Sequence, residues 1–152
     1  MKKIIILLFT LVLSISAFSQ TSINVWGGYS WLNGIIGAEV QLEHFGISAG
    51  YYPAKMPDTK ENIPSFSAAV TYYTKSNKLL KSKDMCYYGS LGMASAGYRH
   101  DGDVDPIYIG MTGLRFNINK LQLKVGGGYG FNNIENKWMF EAGISYGLFT
   151  NR

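Results

Sequence analysis

Cysteine is almost absent from this chain of 152 residues: Cys86 stands alone. A disulfide framework is therefore excluded, and with it the small stapled secreted folds. The lone thiol reads as a small apolar residue in a strand rather than a reactive site. Proline is nearly as scarce, and its four residues fall in two stretches: Pro53, Pro57 and Pro64, then Pro106. No apolar run approaches the roughly 20 residues that a membrane-spanning helix needs. Charge is sparse, at 16% of residues, and forms no basic stripe that would suit a nucleic acid.

The longest apolar run, Ile4 to Ile15, is broken only by Thr10 and Ser14. It follows Lys2 and Lys3 and precedes Ala17-Phe18-Ser19. A positive start, a short greasy stretch and small residues before a cut define a secretory signal, here Met1 to Ser19 with cleavage before Gln20. No cysteine follows the run, so a lipid-anchored product is not expected. Residues 20–152 then suit one domain. Loss of Lys2 and Lys3 leaves twelve basic residues against ten acidic ones, so half of the formal charge of +4 belongs to the expected signal.

Glycine and aromatics are what the chain has in abundance: eighteen Gly, eleven Tyr, eight Phe and three Trp. Eight segments alternate apolar and polar with a period of two, the signature of strands with one buried face. They are Ile23 to Trp31, Ile36 to Glu43, Phe45 to Tyr52, Phe66 to Tyr73, Met85 to Tyr98, Ile107 to Ile118, Leu121 to Phe131 and Trp138 to Leu148. The sixth changes parity: Ile107, Ile109 and Met111 fit one phase, and Leu114, Phe116 and Ile118 the other. A bulge near Thr112-Gly113 is the expected remedy, because one extra residue flips the alternation. Asn119-Lys120 reads as a tight turn and Ala54 to Pro64 as the longest connection. Ser76 to Asp84 reads as a long connection at the opposite end, and Leu32 to Gly34 as a very short one.

The polar faces carry mostly Gly, Ser, Thr, Asn and Gln, with a few charges of mixed sign: Glu39, Glu43, Arg115, Lys124 and Glu141. A soluble lipocalin-like barrel would carry abundant charge there. A sparse, mixed set suits an enclosed lumen. The expected fold is all-β: an eight-stranded antiparallel up-and-down transmembrane β-barrel behind a cleavable signal, in the outer membrane of a Gram-negative cell. Aromatics mark both expected interfaces. Trp31, Tyr51, Phe66, Tyr98, Tyr108, Phe131 and Trp138 fall at the outer ends of the strands, and Phe45, Tyr72, Tyr87, Phe116 and Tyr146 at the inner ends.

On this pattern, length and pair of girdles, residues 20–152 resemble the small eight-stranded outer-membrane barrels, the family of the OmpA transmembrane domain and OmpX. In that family an aromatic near the chain end is read by the assembly machinery. Tyr146-Gly147-Leu148-Phe149 resembles that signal, although Phe149 has inner-face parity and Thr150-Asn151-Arg152 follow it. The resemblance implies outer-membrane lipid and the barrel assembly machinery as partners, a monomer, no cofactor and no nucleic acid.

Three constellations carry candidate chemistry. Glu39, Arg115, Lys124 and Glu141 form an expected lumen ion-pair network, since charges removed from water need partners. Eight strands leave an interior that side chains can fill, so a structural plug is expected there and a channel is the weaker reading. Asp101, Asp103 and Asp105 place carboxylates at alternate positions, a weak metal candidate. Pro106 and Thr112 stand where an EF-hand needs Gly and Glu, so an acidic surface loop is the plainer reading. Some barrels that this chain resembles modify lipid A as acyltransferases or deacylases, with a His, a Ser and a carboxylate. Only His100, beside Asp101 and level with Ser65, falls near the outer leaflet. The Gly126-Gly127-Gly128 run lacks the Lys-Ser/Thr and helix of a phosphate loop; it makes room for bulky lumen neighbours such as Tyr52 or Tyr73. The leading expectation is a non-enzymatic barrel whose loops, Lys55 to Ile63 and Arg99 to Asp105, meet a ligand or protein. A lipid A-modifying enzyme built on His100 is the alternative.

Overall fold

The computed structural model describes residues 21–30, 32, 34–55, 62–74, 85–98, 104–132 and 136–150. The expected signal segment lies outside them. Eight strands follow in order: β1 (Thr21–Tyr29), β2 (Ile36–Leu42), β3 (Phe45–Lys55), β4 (Asn62–Tyr73), β5 (Met85–Tyr98), β6 (Val104–Ile118), β7 (Leu121–Phe131) and β8 (Asn136–Thr150). Each pairs antiparallel with its chain neighbour, and β8 returns to β1. The sheet is therefore a closed up-and-down barrel, which leaves no strand edge along its wall.

Closure follows from alternation. Residues directly opposite across a ladder share a face, so each register stacks like with like. Ile47 faces Val70 and Val125 faces Ala142 on the outside. Asn24, Glu39, Ser48 and Ala69 form one continuous inner row across β1 to β4. Three Tyr-Tyr doublets display the same rule in miniature. Tyr51, Tyr72 and Tyr87 are exposed outside, while Tyr52, Tyr73 and Tyr88 are buried inside.

Two hairpins close in two residues each, at Glu43-His44 and Asn119-Lys120. Both turns need a left-handed residue, supplied by Glu43 (φ 52°) and Asn119 (φ 57°). The connections 30–35, 56–61, 99–103 and 132–135 lie at the other end, called here the loop end. Within 30–35 the chain folds back on the barrel. The Gly34 carbonyl accepts from Trp26 Nε1 at 3.0 Å, and the Ile35 N–H donates to Tyr51 O at 2.8 Å. Gly34 has φ +72°, and any Cβ there would collide with the Tyr51 backbone. This fold-back buries Leu32 in the barrel mouth.

Several expected boundaries shift. β1 ends at Tyr29, two residues short of Trp31, which lies outside the described residues. The connection expected at Leu32 to Gly34 is longer for the same reason. β3 and β4 extend into the expected long loop, with Pro53 directly opposite Pro64. Neither proline has a partner on its far side, since β2 pairs with β3 only as far as Tyr51 and β5 pairs with β4 only from Ser67. Their missing donors therefore break no ladder. Residues 75–84 lie outside the described residues.

The sixth strand corrects a prediction. Its register runs unbroken through Thr112 and Gly113 against both neighbours, so no bulge sits there. Alternation is strict, and Ile107, Ile109 and Met111 point into the barrel. They are apolar because the loop end of the lumen is apolar, which sequence parity alone could not separate from a lipid-facing row. The β5–β6 irregularity lies instead between Ala94 and Gly97. A second shift, between Ile23 and Asn24, sets Phe149 opposite Ile23 and Gly147 opposite Asn24.

Candidate functional site

Among the described residues, polar and charged side chains gather in the lumen. Its loop-end half is apolar: Leu32, Tyr52, Ala69, Ala94, Ile107, Ile109, Met111 and Met139 form one buried cluster. The rest is a polar and aromatic lattice that crosses the barrel from wall to wall.

Arg115 on β6 and Lys124 on β7 stand directly opposite one another. Two like charges in register repel. The conflict is resolved because each reaches a different acceptor on β2, across the lumen. Lys124 Nζ meets Glu39 Oε2 at 2.7 Å. Arg115 Nη1 donates to Gln41 Oε1 at 2.6 Å. Glu39 and Gln41 share the inner face of β2, two residues apart. Tyr73 on β4 donates its hydroxyl to the same Glu39 oxygen at 2.6 Å. The Arg115 guanidinium lies 3.8 Å from the centroid of the Tyr73 ring, and Lys124 Nζ lies 5.0 Å from it. Tyr88 and Trp26 complete an aromatic surround for the ammonium, at 5.8 Å and 6.0 Å.

Glu141 on β8 is buried in the same lumen and accepts from two walls. Ser30 Oγ donates to its Oε2 at 2.6 Å, and the Tyr88 hydroxyl of β5 donates to its Oε1. Nearer the tight-turn end, Gln122 Nε2 donates to Asn24 Oδ1 at 3.4 Å, and Ser145 Oγ donates to Gln122 Oε1 at 3.2 Å. The four charges named from the sequence are thus all buried, and Glu39 and Lys124 touch. Tyr73 and Tyr88 link the rest. Those tyrosines carry half the lattice, and charge counting missed them; the Tyr-Tyr doublets were the available signal. Cys86 is buried beside them. Glu43, counted among the polar-face charges, sits instead in the β2–β3 turn and is exposed.

Glycine makes the lattice sterically feasible. A Cβ on Gly113 or Gly126, which pair across β6 and β7, would collide with the Tyr88 hydroxyl. One on Gly143 would enter the Trp26 ring, and one on Gly46 would press the Glu39 carboxylate and the Tyr73 ring. The neighbours served are therefore Tyr88, Trp26 and Tyr73.

Outside, the expected girdle residues Tyr51, Phe131, Trp138, Tyr72 and Tyr146 are exposed on the outer face. At the loop end they form cross-strand ring pairs: Tyr51–Phe66 at 5.7 Å, Tyr108–Phe131 at 5.8 Å and Tyr129–Trp138 at 5.3 Å. At the tight-turn end Phe45 and Tyr72 pair at 5.3 Å. Between the two rings the outer face is Ile47, Val70, Leu91, Val125 and Ile144, with Leu91 74% exposed.

The remaining candidates separate from the lumen. Ser65 is fully buried on the inner face near the loop end of β4, beside Tyr52. His100, Asp101 and Asp103 lie outside the described residues. Only the backbone of Asp105 is described, paired with Gly97. Among the described residues no group of His, Cys, Asp or Glu could hold a metal.

Fold and lumen together define a closed eight-stranded barrel with an apolar exterior and a cross-braced interior, and the closed antiparallel barrel is the architecture that the sequence predicts. No family model matches the chain, and no curated protein does. Among solved structures it is similar to the backbone structure of the Yersinia pestis outer membrane protein Ail in a phospholipid bilayer nanodisc. Identity is 12% and the TM-score 0.49, over 86% of this chain and 99% of that one.

Proposed function

We propose that the chain is a non-conducting barrel of the outer membrane, whose loop end meets a ligand, a protein or another envelope component. One observation carries the reading: the surface is inside out relative to a soluble protein. Large apolar side chains such as Trp138, at 76% exposure, form the outer belt, while Glu39, Lys124 and Glu141 are buried within. An exposed apolar belt of this extent is stable only against hydrocarbon. The tight turns then face the periplasm and the connections 56–61 and 99–103 face outward, where loops on a rigid scaffold carry recognition.

The lumen supports a structural role over a pore. Two features each obstruct it: the cross-lumen lattice and the apolar cluster at the loop end. Removing one leaves the other. Arg115→Ala is therefore expected to lower stability yet to leave the barrel sealed. Planar-bilayer recording tests this on the purified wild type and variant. Silent bilayers for both agree with the reading; large stable channels in either contradict it.

A further inference from the structure

We propose that the outer wall of β5, β6 and β7 is a binding groove for one acyl chain of a bilayer lipid. It rests on the reading of the outer belt as lipid-facing. The groove measures about 430 Å³, and its floor is the row of Gly89, Thr112 and Gly127 with Gly110 beside it. Gly110 stands directly opposite the outward Leu91, and Gly89 and Thr112 are exposed on the same face.

Nothing inside the chain demands this bare row. On the inner face glycine is forced: a Cβ on Gly126 or Gly113 would collide with the Tyr88 hydroxyl. On the outer row it is not. A Cβ on Gly89 would meet nothing within 4 Å, and one on Gly127 or Gly110 nothing nearer than 3.7 Å or 3.5 Å. None of the three has a positive φ. Glycine inside a strand weakens it and often marks close approach by something else. The chemistry of the groove selects hydrocarbon as that visitor. Leu91 leans over Gly110 at one end, and the Phe140 ring flanks Gly127 at the other. Thr112 donates its hydroxyl to the Tyr88 carbonyl at 3.0 Å, so the outward row keeps no hydrogen-bonding side chain for a polar guest. Thr112 also lies midway along β6 between the outward rings of Tyr108 and Phe116. That is the depth of chain methylenes rather than of a headgroup. A second barrel would need about 1,200–2,000 Å² of buried surface, more than a dent across three strands supplies. A volume of about 300–1,000 Å³ is instead the size of a small-ligand site. With lipid on every side, close van der Waals contact with bare backbone is what distinguishes a held chain from a passing one.

Nuclear Overhauser transfer from chain methylenes to backbone amides is measured on the deuterated full barrel in phosphatidylcholine nanodiscs, after a gel shift has established closure. Gly27 is the reference, since it is exposed on β1 with nothing within 4 Å of its Cβ position and lies outside the groove. Transfer to Gly89 and Gly127 is expected to exceed that to Gly27 by about twofold or more, because a held chain stays longer than an exchanging one. Phe140→Ala removes a wall without covering the floor, and is expected to bring Gly127 down to the level of Gly27. If that variant does not close, Leu91→Ala is read at Gly110 in the same way. Equal transfer to the groove and to Gly27 in an inserted barrel overturns the proposal, as does a wall variant with unchanged transfer. Transfer to the groove from a second, protonated copy of the chain in a mixed sample overturns it in favour of a dimer. A barrel that does not enter the nanodisc overturns the lipid-facing reading itself.

Discussion

At the scale of residues, the barrel is held by a small number of groups that would each be costly alone. The Glu39–Lys124 pair is the clearest case. Taking both charges out of water costs several kcal/mol per ion, and only their contact with added hydrogen bonds offsets it. Breaking the pair from one side therefore does more harm than removing it. Lys124→Met is expected to destabilise the folded barrel by about 3–5 kcal/mol, because it strands a buried carboxylate. Adding Glu39→Gln should recover much of that loss. Urea unfolding of the protein in lipid vesicles, followed by tryptophan fluorescence, measures both. Equal losses for the single and double variants would mean that the contact contributes nothing. The four charges were legible in the sequence because they stood on the polar parity of their strands. Their partners were not. Strand parity puts Tyr73 and Tyr88 on the inner face, but it does not say which charge across the lumen each hydroxyl reaches.

At the scale of elements, strand existence and order were legible throughout, since β7 and β5 run over the very spans that alternation marks. What failed were places where polarity and position part company. Ile107, Ile109 and Met111 are apolar and inward, so an alternation rule that equates apolar with outward invents a bulge. The proline rule shortened β3 and β4, because only the register reveals that Pro53 and Pro64 pair where each has an open far side. The turns are informative in another way. Glu43 holds a left-handed conformation that Asn119 holds in the sister hairpin. An ordinary L-residue there is strained by about 1–2 kcal/mol, and asparagine tolerates it better. Glu43→Asn should raise the urea midpoint by a stability increment of about 1 kcal/mol, with Gln41 Nε2 still able to reach the residue-43 carbonyl. A lowered midpoint would show that the turn is not strained. The outer belt predicts a depth dependence. Leu91→Lys, between the aromatic rings, should cost about 2–4 kcal/mol in a bilayer, while Ile118→Lys beside the Asn119-Lys120 turn should cost about 0–1. Identical costs at the two positions would argue against a belt facing hydrocarbon.

At the scale of the whole molecule, one sheet closes on itself and exchanges the usual places of core and surface. Closure removes the edges, the lattice braces opposite walls through Glu39, Gln41 and Glu141, and Leu32 packs with its apolar neighbours toward the loop end. The central claim is that this closed barrel resides in the outer membrane. Membrane fractionation combined with gel migration of unboiled and boiled samples tests it most directly. The account predicts recovery in the outer-membrane fraction and a migration that shifts on boiling, as the closed barrel opens. A soluble periplasmic protein with no heat-dependent shift would contradict it.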